Sequence, residues 1–260
     1  MNWKIFTSSC FILLSPVQSF FHNVSFFDNP NIFVGHIDNN LSELETFKTS
    51  RQFFNPRRVQ KLNDEFIPTH YKIELQVILD KDKVGEKVGT QNGAPGKVNI
   101  AGINQKNSSR IVLNAGRLKV NGSSIQVFSN GQKLPLKECR HKAKVSLYEI
   151  ELVNEIGAGE KVEIYMEYFA VLNSHLVGIR IKDYTDVSSG SMEKIAFTNL
   201  QTLRAQDTGL DSTAHRPSFC YNVFPCFDEP HLKATYELTI TRKANQIALG
   251  SGELLSSASE

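Results

Sequence analysis

The stretch NVFPCFDEPHLKATYELTI, Asn222 to Ile240, sets two prolines, a cysteine and two adjacent acids directly before an alternating run. Ala234, Tyr236, Leu238 and Ile240 fall at every second position, the period of a strand with one face in a core. Pro225 and Pro230 each fix φ and remove a backbone donor. Asp228 and Glu229 are neighbours, and neighbours on extended chain project to opposite sides. They cannot converge on one substrate atom as a general acid and base. The segment therefore reads as a stiff corner feeding a strand, its acids bound to backbone or to a nearby cation.

The same period runs outward through the chain. Tyr71, Ile73, Leu75 and Val77 alternate with Lys72, Glu74 and Gln76. Val162, Ile164, Met166 and Tyr168 alternate with charges in KVEIYMEYF, and the charged positions 72, 74, 161, 163 and 167 read as solvated strand faces. KVNIAGIN, RIVLNAG, RLKVNGSSIQVF, KVSLYEIELV, HLVGIRIKDY and IAFTNLQ read as further strands. Turns are expected at Asn114 to Gly116 and at Asn121-Gly122. GTQNGAPG reads as a loop, and no amphipathic helix follows residue 65. About eight strands at short, turn-separated spacing predict an all-β class, an antiparallel saddle-shaped sandwich.

Composition restricts the function. The 260 residues are 40% hydrophobic and 22% charged with a net charge of +2, as in ordinary globular proteins. No block of like charge marks a nucleic-acid partner. Seventeen residues from Ile5 to Phe21 carry no charge and follow the basic start MNWK. Residues 1–19 read as a signal peptide, with an uncleaved N-terminal anchor as the alternative. Either sends the remainder to secretion or to the extracellular face of the plasma membrane. Residues 20–65 lack a clear period and read as a leader or stalk, and 66–260 as the ordered domain. Asn-x-Ser triplets at Asn23, Asn40, Asn107 and Asn121 fit that compartment, Asn107 and Asn121 being the better glycosylation candidates in their polar context. Beyond Cys10, only Cys139, Cys220 and Cys226 remain, which is no disulfide scaffold. Cys220 and Cys226 are read either as a bridged pair or as buried thiols.

Catalytic signatures are missing. No two of the seven histidines stand three to five residues apart, and the sequence has no HExxH, no G-x-S-x-G and no P-loop. His70 and His231, beside strand starts, read as structural.

FPCFDEPHLKATYELTI is very similar to the segment closing the N-terminal β domain of aminopeptidase N-like zinc metallopeptidases. IPTHYKIEL resembles that domain's opening, RIVLNAGRLKV its next strand pair, and EKVEIYMEYFAVLNSHLVGIRIKDY its central hairpin. The resemblance runs from about residue 66 to the end. It identifies Phe224, Pro225, Cys226, Phe227, Asp228, Glu229, Pro230, Lys233 and Ala234 as a structural signature. It implies a saddle-shaped domain capping a thermolysin-like domain, which carries G-x-M-E-N and a zinc-binding HExxH and removes N-terminal residues from peptides. Neither motif occurs in these 260 residues, so no catalytic residue, metal or cofactor is assigned to them; GSMEK at Gly190 to Lys194 is coincidental. The implied partners are that catalytic domain and peptide substrates, or a surface protein if the domain serves only as a binding module. The family's Gln near the substrate amine corresponds to Asn199, and an acid two residues on to Gln201. These two are the substrate-binding candidates, and both depart from the family pattern. So does SFCYNV, which stands where the family writes an Asp-Ala-Arg-Arg-like lead.

Overall fold

The computed structural model describes residues 2–5, 12–14, 62–79, 93–172, 178–187, 189–200 and 219–258. In chain order the strands are β1 (Asn2–Ile5), β2 (Ile12–Leu14), β3 (Phe66–Gln76), β4 (Gly93–Asn104), β5 (Ser108–Asn114), β6 (Leu118–Ser129), β7 (Gln132–Leu134) and β8 (Leu136–Lys142). Then come β9 (Leu147–Ile156), β10 (Lys161–Val171), β11 (Gly178–Thr185), β12 (Met192–Asn199), β13 (Thr235–Thr241), β14 (Ile247–Leu249) and β15 (Glu253–Ser256). Apart from strands, the described residues form only short 3-10 turns, as the all-β expectation requires.

Three sheets result. The largest runs β15-β1-β13-β3-β4-β10-β6-β7, the second β11-β12-β2-β14, and the third β5-β9-β8. All pairings are antiparallel except β13 against β3, which is parallel and places Tyr236 beside Tyr71 and Leu238 beside Ile73. Alternation puts Tyr71, Ile73, Leu75, Val162, Ile164, Met166, Leu238 and Ile240 into one continuous core, shared with Leu113, Ile150 and Leu152 of the third sheet. The expected leader also contributes: Leu62 is buried, so the core reaches a few residues before Phe66.

Two local readings change. Gly93 to Gly96, expected as loop, open β4 in register with β10. Their glycines make room for aromatic rings: a Cβ on Gly93 would lie 1.8 Å from Phe169 Cζ, and one on Gly96 2.6 Å from Tyr168 Cζ. Pro95 falls in the gap between the last β3–β4 ladder pair, Leu75 with Gly96, and the isolated bridge of Ile78 to Gly93, where a missing donor breaks no ladder pair with β3. The Asn121-Gly122 pair is no turn but an irregularity within β6. The turn lies at Asn130-Gly131, both with positive φ (49° and 82°), which joins β6 to β7 as a two-residue hairpin.

Candidate functional site

The corner at 219–230 is held by backbone and side-chain hydrogen bonds to several strands. Cys226 exchanges two backbone hydrogen bonds with Asn114, at 2.8 and 3.0 Å, an isolated bridge onto the end of β5. The Asn114 side chain continues the contact, its Oδ1 accepting from the Asp228 amide at 3.0 Å. The two acids diverge as adjacent residues must. Asp228 Oδ2 accepts from the Tyr221 amide at 3.3 Å, and Glu229 Oε1 from the Leu62 amide at 2.8 Å. Both serve backbone donors that belong to no ladder. The Tyr71 hydroxyl, buried on β3, accepts from the Phe227 amide at 3.0 Å. Phe227 stacks on Phe66, Phe224 meets Tyr71 edge-on, and Tyr71 stacks on Tyr236 at a centroid distance of 4.9 Å. Pro225 is buried with them, whereas Pro230 and Lys233 are exposed and Ala234 packs against the core from its rim.

Electrostatics follow from this burial. Removal from water raises the Cys226 thiol well above its ordinary value, with Asp228 and Cys220 adding to the effect. Burial likewise raises the Tyr71 hydroxyl, with smaller contributions from Cys226 and Tyr236. Such groups are held neutral, which suits a packed core and not a nucleophile. Cys220 and Cys226 are free thiols and buried, so of the two readings the structure selects the second.

The lead into the corner was the departure from the family pattern. Phe219 to Val223 are all buried, and Cys220–Asn222 form a 3-10 turn. The Tyr221 carbonyl accepts from Gly116 at 2.8 Å, and Asn222 Oδ1 from the Arg117 amide at 3.2 Å. A Cβ on Gly116 would lie 2.2 Å from that Oδ1, so the expected turn at 114–116 is clamped. Tyr221 and Asn222 are thus structural plugs, which no pattern in the sequence announces.

Asn199 ends β12 directly opposite Gly178, and the Cβ position of Gly178 is 3.1 Å from the Cβ of Asn222. The backbone of Asn199 is thereby tied, through one glycine, to the corner. Gln201 lies outside the described residues, as do Asn23 and Asn40. Asn107 and Asn121 are both exposed; Asn107 Oδ1 accepts from the Ala158 amide. The two structural histidines have partners: His70 Nδ1 bonds Thr235 Oγ1 at 2.7 Å, and His231 Nε2 bonds Asp64 Oδ1 at 2.8 Å. Among the described residues no group of three or more His, Cys, Asp or Glu is placed to hold a metal ion. No helix among them is long and apolar enough to cross a membrane.

Comparison with known proteins agrees with this architecture. The rat (Rattus norvegicus) glutamyl aminopeptidase is 24% identical over 192 residues, covering 73% of this chain and 18% of that protein. Mouse (Mus musculus) aminopeptidase Q is 29% identical over 191 residues, 70% of this chain and 31% of the relative. A probable M1 family aminopeptidase 2 of Encephalitozoon cuniculi is 24% identical over 203 residues, 77% and 19% respectively. The chain thus spans between about a fifth and a third of the length of these curated relatives. The Peptidase M1 N-terminal domain family matches residues 67–260, from the second residue of β3 through the corner and beyond, and the chain belongs to that family.

Proposed function

We propose that this domain is part of an outward-facing zinc aminopeptidase, and that it frames the entrance to a catalytic domain whose residues lie outside these 260. Asn199 sits at the edge of the pocket for the substrate's free amine, with Gln201 two residues further on. One observation carries the reading: the end of β12 pairs with Gly178, whose backbone packs closely against Asn222 of the same corner that bears the family's most specific motif. A position fixed in this way can meet a neighbouring domain in a constant geometry. Zinc is assigned to the other domain, where the resemblance implies the HExxH that this sequence does not contain. The uncharged start and the exposed sequons at Asn107 and Asn121 support an extracellular or secreted location with glycosylation.

A second reading, a binding module without catalysis, is favoured by the shortened side chain at 199 and the lost acid at 201. One experiment separates them. The native protein carrying this domain, supplied with zinc, is assayed on aminoacyl 4-nitroanilides alongside its Asn199→Gln variant. Hydrolysis with a lower KM in the variant, from the restored methylene reaching the amine, supports the enzymatic reading. No hydrolysis by either protein leaves the binding module.

A further inference from the structure

The outward face of the large sheet carries a built groove. Glu163, Tyr165 and Glu167 project from the same side of β10, as alternate residues do, over about 13 Å at the usual strand rise of ~3.3 Å per residue. Tyr165 stands in register with Asn99 of β4 on one side and Gln126 of β6 on the other. An aromatic ring is thus flanked by two amides across the strands and by two carboxylates along its own.

β6 supplies the wall. Tyr165 pairs with Gln126 and Glu167 with Asn121, so β6 uses five residue steps where β10 uses two. The extra chain at Gly122 to Ser124 bulges from the sheet, a device common beside binding sites. It is fixed internally: Ser123 Oγ donates to Asn121 Oδ1, Ser124 Oγ donates to the Asn121 carbonyl, and the Glu167 amide donates to Ser124 Oγ. The resulting groove has a volume of about 550 Å³, the size of a small-ligand cleft.

Its chemistry is acceptor-rich, the lining holding Glu163 and Glu167 among amides and hydroxyls. Asn99 Oδ1 is buried and has no hydrogen-bond partner among the described residues, an unsatisfied acceptor on a groove-lining side chain. Asn99 Nδ2 leans on Glu163 Oε2 at 3.4 Å, and the Tyr165 hydroxyl donates to Glu167 Oε1 at 3.0 Å. Excess acceptors disfavour an anion. Around it, Lys97 stands opposite Glu167 in the register of β4, and Lys133 Nζ donates to Gln126 Oε1 at 3.1 Å, so ammonium groups flank the two carboxylates. The faces of Tyr165 and Phe128 offer apolar surface beside these polar groups. Adjacent hydroxyls that donate to amides and carboxylates, on a ring whose C–H face rests against an aromatic, describe a sugar.

We propose that this groove binds a neutral oligosaccharide. Its source is either another molecule or the chain's own N-glycan, since Asn121 of the Asn-Gly-Ser sequon stands on the groove's rim.

The test is calorimetry and NMR titration with cellobiose, chitobiose and mannobiose, on the protein recovered from glycosylating cells and on the same residues produced in cells that add no N-glycan. Sialyllactose and spermine serve as anionic and cationic probes. Tyr165→Ala, Tyr165→Phe and Asn99→Leu are compared, each verified as folded by its melting curve. The expected result is saturable binding of at least one neutral disaccharide, weakened about tenfold by Tyr165→Ala and by Asn99→Leu, and less by Tyr165→Phe, which keeps the ring. Equal binding by the glycosylated and unglycosylated forms makes the ligand external. Binding by the unglycosylated form alone makes the chain's own glycan the occupant. Preference for spermine or sialyllactose, no neutral sugar bound by either form, or binding indifferent to Tyr165 and Asn99, overturns the proposal.

Discussion

Tyr71 links the pattern of one strand to the geometry of a segment 156 positions away, since its hydroxyl accepts from the Phe227 amide inside the core. The Tyr71→Phe variant keeps the stacking on Tyr236 but strands a buried donor. It should lower stability by about 1–3 kcal/mol in urea unfolding, with the m-value unchanged. A loss indistinguishable from zero would mean that the Phe227 amide finds another acceptor. Residues of this kind mark the limit of what the sequence discloses. That Tyr71 is buried follows from its place in an alternating run. That its polar end meets a particular amide follows only from packing. The acid pair was more legible, because adjacency alone forbids Asp228 and Glu229 from sharing a target, and they bond the Tyr221 and Leu62 amides instead.

Among elements, two Asn-Gly dipeptides show why strands were read more reliably than their interruptions. Asn130-Gly131 adopts positive φ at both residues and turns the chain, whereas Asn121-Gly122 bulges within β6. The dipeptide is the same; the difference lies in whether the flanking residues find their own partners, which here places β6 against β10. A paired substitution reads this directly. Gly131→Ala should lower the melting temperature, costing about 1–2 kcal/mol for a side chain at φ 82°. Gly122→Ala has only Tyr148 Oη nearby, at 3.7 Å, and should be neutral within about 0.5 kcal/mol. Equal losses would contradict the assignment of one as turn and the other as bulge. The same logic explains Gly93 to Gly96: a run of glycine and proline signals a loop only until aromatic neighbours occupy the space that the missing side chains leave. The charged face of β10 was likewise read as solvated surface, because no alternation reveals that a bulge on a neighbouring strand will wall it into a groove.

For the molecule as a whole, burial of titratable groups at the corner sets a response to alkali. Cys226 and Tyr71 keep their protons in the folded state well above their ordinary values of 9.0 and 10.0, because burial disfavours the charged forms. Raised folded values mean that their contribution is complete below about pH 9 and declines as pH rises, where the unfolded chain releases protons that the folded one retains. Melting temperature should therefore hold between pH 7 and about 9 and fall beyond, and Cys226→Ala should soften the first part of the fall. A second whole-molecule prediction concerns residues 1–19. β1 is the neighbour of β15, and β2 that of β14, so removal of this segment takes away their sheet partners and opens the edge of β13. Hydrogen exchange at 247–256 should be markedly faster in a chain of residues 20–260 than in 1–260; equal protection would show that these strands are held by other contacts. The parallel junction of β3 with β13 has a further consequence. It joins positions 165 apart, as in the bond from His70 to Thr235, and is the parallel pairing among antiparallel ones. Pairings of such separation form slowly, since a long loop must close before any contact rewards it. On the ribosome, β3 therefore waits beside β4 with one edge bare until nearly the whole domain has been translated, and synthesis of β13 is the event that covers that edge.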